Sequence, residues 1–191
     1  FLMTWLVLNR WRYEDIVNFL KEANEDDGIK AIIIKINSPG GTPVASEEIA
    51  DYVKKIKKPT VSVIRDVGAS GAYWVASATD HIIADRLSLT GSIGVVGSYV
   101  NFAGLLNKYN VTYERLVGGK YKDAGSPFKE LPTEERTLFQ NLIDRMRDDF
   151  IDTIATNRNM PRDDVEKLAT GFVFLGVEAQ QLGLVDEIGG M

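Results

Sequence analysis

The chain has 191 residues, of which 45% are apolar, enough for a single compact domain that removes about 70% of its unfolded surface from water. Its net charge is −5, from 22 Lys and Arg against 27 Asp and Glu with no basic block, which argues against a nucleic-acid partner. Cysteine is absent and His81 is the single histidine, so disulfides, thiolate metal sites, a cysteine nucleophile and most zinc sites are excluded.

In chain order, the apolar run Phe1 to Leu8 is too short for the ~20 residues of a membrane span and reads as a strand. Asn9 to Arg12 does not continue it. Ile16, Phe19, Leu20 and Ala23 recur at helical spacing, predicting an amphipathic helix over Tyr13 to Asn24 that stops near Gly28. Ala31 to Asn37 is a β-branched apolar strand of the kind buried in parallel sheets. It breaks at Ser38-Pro39-Gly40-Gly41. Ala45, Ile49, Val53 and Ile56 then mark a second helix, and Thr60 to Ile64 a second strand, completing a βαβ unit.

The pattern continues with a short helix from Ser70 to Ala78, a strand His81 to Ala84, a glycine-rich stretch Gly91 to Gly97, a helix Phe102 to Asn107 and a strand Thr112 to Val117. The last third is helical. Leu138, Leu142, Met146, Phe150 and Ile154 form one stripe behind a Thr133 cap, read as core or subunit contacts, and Pro161 opens a further helix. With no repeat, low-complexity segment or linker, the fold class is α/β, one domain over residues 1–191.

Two loops carry the features of acyl-transfer chemistry. In Gly68-Ala69-Ser70-Gly71-Ala72, Ser70 sits between a strand and a helix N-terminus, where free N–H groups favour developing negative charge and small neighbours admit a substrate backbone. The same position suits an ordinary N-cap serine. Ser38-Pro39-Gly40-Gly41 follows another strand at its carboxyl end, the edge where open α/β sheets place ligands, although the motif alone also describes a plain turn. Together the amides of Gly41 and Gly71 would flank the Ser70 hydroxyl as paired oxyanion donors.

A serine nucleophile needs a base. His81 follows Ser70 by eleven residues, beyond the far end of the helix that Ser70 opens, which at ~1.5 Å per residue places it around 12 Å away. It reads as a surface or structural residue. A lysine is the alternative, provided that it can be deprotonated, and Lys120 and Lys122 both lie in a glycine-flanked loop. Spacing does not separate them, and each has the pattern of a solvated lysine as well.

Taken together these residues resemble the signal peptide peptidase A family, within the superfamily shared by the Clp protease and crotonase folds. The resemblance runs from about Ile29 to Gly190 through INSPGG at Ile36 to Gly41, GASGAYW at Gly68 to Trp74, TGSIGV at Thr90 to Val95, YKDAGSPFKEL at Tyr121 to Leu131 and EAQQLGLVDEIGG at Glu178 to Gly190. It implies a Clp protease/crotonase-like fold of repeated ββα-type units with a helical C-terminal third. By the same resemblance Ser70 is the nucleophile and Lys122 the general base, with Lys120 the weaker choice; Ser92 orients the lysine amine, and Gly41 and Gly71 donate to the oxyanion. No cofactor or metal is implied.

The resemblance further implies extended peptide substrates such as remnant signal peptides, homo-oligomeric rings in which a site can be shared between protomers, and a membrane-associated, extracytoplasmic setting. The usual hydrophobic anchor has no counterpart in this chain, and Phe1 to Arg12 matches poorly. Three other readings are a protease directed at stomatin-like membrane proteins, a crotonase-like acyl-CoA enzyme, and a catalytically silent peptide-binding scaffold.

Overall fold

The computed structural model describes residues 2–4 and 13–190. They group into two units, Phe1–Gly94 with Arg147–Met191, and Val95–Met146. In the first unit the apolar runs become a sheet. Strands β1 (Leu2–Thr4), β2 (Ile32–Ser38), β3 (Thr60–Ala69), β4 (His81–Ala84) and β7 (Glu187–Ile188) lie side by side in that order, each pair parallel. The remainder of the apolar run at the start, from residue 5, and the junction before Tyr13 lie outside the described residues.

β3 organises the site. One edge pairs with β2 along its length; the other pairs first with β4, from Val61 to Ile64, and then with β5 (Leu89–Gly91), from Val67 to Ala69. β5 in turn pairs antiparallel with β6 (Val173–Leu175). The β2 register slips between Ile36 and Ser38, because Ile36 faces Ile64 whereas Ser38 faces Gly68. Asn37 fills the slip: its side-chain carbonyl accepts the Val67 N–H at 3.1 Å and its amide donates to Asp66 at 3.0 Å. An irregularity of this kind bends a strand and redirects the chain beyond it, here the turn into Ser70.

Helices α1 (Tyr13–Glu25), α2 (Pro43–Lys55) and α3 (Gly71–Ser77) pack on this sheet. α2 opens with Pro at its first turn, where a missing N–H costs nothing, and ends with Lys54 and Lys55 against the negative end of the helix dipole. α3 is buried on every side, which its small residues permit. Trp74 of α3 stacks on Phe150 with ring centroids 4.5 Å apart. Phe150 lies in α5 (Thr133–Arg158), after which come α6 (Arg162–Leu168) and α7 (Gly176–Gln181). The buried Tyr73 hydroxyl donates to the Leu184 carbonyl at 2.8 Å, tying α3 to the chain's last segment, and burial pushes its pKa far up.

The second unit contains α4 (Ala103–Lys108) and the beginning of α5. Two expectations change here. Thr112 to Val117 is not a strand, since its residues find no ladder partner among the described residues and stay exposed. The α5 stripe divides in two: Phe150 and Ile154 are fully buried, whereas Leu138, Leu142 and Met146 are 41–50% exposed. Helical spacing shows that residues share a face but not what covers each length of it.

Candidate active site

Ser70 occupies the single residue between β3 and α3. It is held at φ 52°, ψ −127°, a region that side chains other than glycine rarely adopt. Its N–H donates to the Gly91 carbonyl at 2.8 Å and its carbonyl accepts the Trp74 N–H at 3.0 Å, so both of its backbone polar groups are pinned while the hydroxyl has no hydrogen-bond partner among the described residues. An ordinary N-cap would use that hydroxyl on the helix amides; this one makes no such bond.

The Ser38 to Gly41 turn lies against it. Gly40 has φ +112°, and a Cβ there would fall 2.8 Å from the Gly71 nitrogen and 2.9 Å from both the Ala69 carbonyl oxygen and the Ser70 Cβ. Only glycine allows this approach. The buried Ser38 hydroxyl accepts the Gly40 N–H at 3.2 Å and shapes the turn. A Cβ on Gly71 would lie 3.2 Å from the Gly41 nitrogen, so the two expected oxyanion donors are near neighbours, and neither amide donates a hydrogen bond among the described residues. Around Gly41 itself a Cβ would meet nothing within 4 Å, leaving room for a ligand.

Ser92 follows Gly91 directly and is the other serine held in the left-handed region, at φ 50°. Its N–H donates to Phe172 O at 2.9 Å and its hydroxyl to Gly171 O at 3.0 Å. The hydroxyl oxygen therefore keeps its acceptor capacity. The first unit thus brings Ser70, Gly71, Gly41 and Ser92 together through the carboxyl ends of β2, β3 and β5. Beside the glycines opens a cavity of about 190 Å³, walled largely by the apolar side chains of Ile34, Ile36, Ala45, Ile49, Ala72 and Val75.

Lys122 belongs to the second unit and lies in a turn closed by Lys122 N–H to Gly119 O at 3.2 Å and Ala124 N–H to Tyr121 O at 3.0 Å. The four lysines of this unit differ in their partners. Lys120 pairs with Glu134 at 2.6 Å and lies 4.8 Å from the Tyr121 ring centroid; the Glu134 hydrogen bond and the Tyr121 hydroxyl raise its pKa well above the usual lysine value. Lys129 bridges Glu135 at 2.7 Å and Asp123 at 3.2 Å, also with a raised pKa. Lys108 lies 6.0 Å from the Tyr109 ring centroid. The Lys122 amine has no hydrogen bond or ion pair among the described residues. Lys120 is therefore the poorer base, held charged by its neighbours.

His81 begins β4 with α3 between it and Ser70, and its ring meets Glu187 at 3.2 Å and Asp186 at 3.9 Å. It is a partner of the C-terminal strand. Sequence reasoning passed over Asn37, Asp66 and Ser46; the last is buried and fixes Gly71 as glycine, because a Cβ there would be 2.1 Å from its hydroxyl oxygen. Only local pattern could have flagged them, and their contacts span up to 30 residues. Among the described residues no group of three or more His, Asp or Glu could hold a metal ion, and no helix is long and apolar enough to cross a membrane.

Residues 52–191 match the model of peptidase family S49. The chain belongs to peptidase family S49. A model of the Clp protease family matches residues 7–93. The chain is similar to Protease 4 of Haemophilus influenzae, 36% identical over 92% of this chain and 29% of that protein, and to the chloroplastic serine protease SPPA of Arabidopsis thaliana, 36% identical over 93% and 27%. The chain spans about half the length of relatives from Methanocaldococcus jannaschii and Enterococcus faecium, at 56% and 53%. Among solved structures, a ClpP1 point mutant from Listeria monocytogenes superposes with a TM-score of 0.63, 19% identity and coverage of 94% of this chain and 84% of that one. The fold of this S49 member is accordingly the Clp protease-like α/β fold that the motifs implied.

Proposed function

We propose that this chain is the catalytic part of a serine endopeptidase in which Ser70 is the nucleophile, Lys122 the general base, Gly41 and Gly71 the oxyanion donors and Ser92 the residue that orients the lysine. The observation that carries the reading is Ser70 itself, strained at a strand-to-helix turn, its hydroxyl unpartnered, beside two glycine amides that donate to nothing among the described residues. Strain of this kind costs ~1–3 kcal/mol and is retained where function needs it. Family membership and the serine protease among the relatives support the reaction class.

The neutral Lys122 amine takes the Ser70 proton as Oγ bonds to a peptide carbonyl carbon, and the carbonyl oxygen gains negative charge facing the Gly41 and Gly71 N–H groups. Lys122 returns the proton to the leaving nitrogen as the C–N bond breaks. Water, deprotonated by the same amine, then releases the acyl group and restores Ser70. The Ser92 hydroxyl donates to Gly171 and can accept one lysine N–H. Substrates are extended peptides with an apolar side chain beside the scissile bond, because the cavity next to the glycines is walled by isoleucine, valine and alanine. Remnant signal peptides at a membrane have this chemistry. Assembly with further copies would cover Leu138, Leu142 and Met146.

Replacement tests the site. Ser70→Ala and Lys122→Ala each abolish cleavage of an apolar peptide by folded protein, whereas Lys120→Gln retains it. Full activity in Lys122→Ala would sink the dyad. Mixing the two inactive variants under proven subunit exchange restores activity if the pair forms between copies and not if it forms within one chain.

A further inference from the structure

Lys122 is followed directly by an acidic residue, Asp123, whose charge would hinder a lysine that must work uncharged. The structure gives that charge somewhere else to go. Arg115 grips the Asp123 carboxylate with two hydrogen bonds, Nε to Oδ2 at 2.6 Å and Nη2 to Oδ1 at 2.9 Å, and donates again to the Lys120 carbonyl at 3.0 Å. Lys129 reaches the same carboxylate at 3.2 Å and Glu135 at 2.7 Å. Asp123 and Glu135 are nearly buried, with 10% and 7% of their side chains exposed. The result is a closed set of two cations and two anions under the turn.

From this geometry we infer that Arg115 is a positioning residue for the lysine base: it anchors the Lys122 turn through Asp123 and the Lys120 carbonyl and offsets the carboxylate charge that follows Lys122 in the chain. The inference rests on the reading of Lys122 as the base. Its parts serve both ends. The fork is bidentate and planar, the geometry in which Arg fixes a carboxylate rather than merely attracting it, and its third bond holds the backbone at Lys120. The Asp123 carboxyl titrates far below the usual range, first because of the Arg115 hydrogen bonds and then because of Lys129.

Other charges around the turn are accounted for separately. Lys120 is paired with Glu134, which also accepts the Tyr121 hydroxyl. Glu135 is matched by Lys129. Asp123 is the acidic neighbour of Lys122 whose neutralisation depends on Arg115, so removing either partner changes the local charge by one, in opposite directions.

That opposition gives the test. The lysines of the whole chain are reductively methylated with 13C-formaldehyde and titrated by NMR, the Lys122 resonance being assigned by its loss in Lys122→Arg. Arg115→Ala leaves Asp123 facing Lys129 alone and moves the Lys122 midpoint up, by roughly half to one pH unit at the dielectric of a protein surface. Asp123→Asn leaves a surplus cation and moves it down. The double variant returns it towards the parent value. The acid limb of kcat/KM follows the same three directions, and Arg115→Lys, which keeps the charge and loses the fork, restores the midpoint while leaving kcat lowered.

Midpoints that do not move, or that move the same way in both single variants as a merely loosened turn would make them, overturn the inference. Loss of the base reading shows differently, as activity surviving in Lys122→Ala, and the NMR midpoints report on the charge compensation in either case. Circular dichroism on each variant identifies any that fail to fold; the remaining single variant still has a signed expectation.

Discussion

Gly71 has no room for a side chain, and the penalty for adding one can be worked from its surroundings. A Cβ at this position would lie 2.1 Å from Ser46 Oγ, 3.1 Å from Ser46 Cβ and 3.2 Å from the Gly41 nitrogen. Ser46 has little freedom to retreat: it is 6% exposed and its hydroxyl donates to the Thr42 carbonyl at 3.0 Å. Overpacking of this sort costs ~1–3 kcal/mol, and replacing a glycine returns ~0.4–1 kcal/mol through the unfolded chain. Gly71→Ala therefore destabilises by about 1–2 kcal/mol, or about 2–8 °C in Tm at this chain length. Ser46→Ala alone loses about 1 kcal/mol with its hydrogen bond. The double variant removes the atom in worst collision, so the two losses do not add, and a double-mutant cycle by thermal unfolding shows a favourable coupling near 1 kcal/mol. Peptide hydrolysis is the second readout, because strain relieved by displacing Gly41 removes the proposed oxyanion donor, which would cost ~10²–10³ in kcat. A Gly71→Ala protein that melts with the parent, or a strictly additive cycle, would falsify this account of the loop contact.

Gly40→Ala must bring a Cβ within 2.9 Å of three atoms of the Ala69 to Gly71 segment at a φ of +112°, so hydrolysis falls by at least tenfold while urea unfolding changes less than it does for a core truncation. Phe150→Ala empties a 2% exposed site and ends the Trp74 stack, lowering stability by ~3–5 kcal/mol in urea titration. Arg158, 9% exposed, holds the 29% exposed Asp186 at 2.6 Å, and Arg158→Ala removes the charge-assisted hydrogen bonds at a loss of ~1.5–3 kcal/mol by the same measurement. Burial works to raise the Asp186 pKa, but the Arg158 pair and the Ile82 N–H outweigh it and hold it below its ordinary 3.8. A carboxyl lowered on folding adds stability above its unfolded pKa and loses it as pH falls through the folded one, so acid destabilisation below about pH 4 is shallower in Asp186→Asn.

The sequence pattern reached furthest where a residue's role depends on its neighbours in the chain. β2 was legible in AIIIKIN, and α3 in the small residues after Ser70, because burial in a sheet or between layers selects composition locally. β5 was not, since Leu89-Thr90-Gly91 is a strand only by virtue of the edge that β3 offers it. The opposite failure occurred at Thr112 to Val117, where β-branched residues promise a strand and no ladder answers. In the candidate site, glycine spacing marked Ser70, Gly41 and Gly71 as candidates, but an N-cap serine and a plain turn fit the same spacing. Lys120 and Lys122 could not be separated by spacing, because what distinguishes them is Glu134, fourteen residues on and brought back by α5. The Asn37 and Ser46 contacts are likewise products of folding.

The slip beside Asn37 has an arithmetic property that bears on how this turn can vary. Between the pairs Ile36 with Ile64 and Ser38 with Gly68, β3 advances four residues while β2 advances two, a surplus of two. Strand side chains alternate between faces, so an even surplus preserves the phase of β3 on either side of the bend, whereas an odd one would invert everything downstream. Length changes at Arg65, Asp66 and Val67 are thus governed by parity: removing one residue would turn Ala69 out of the core and Ser70 away from its glycines, while removing two would straighten the strand with both faces preserved.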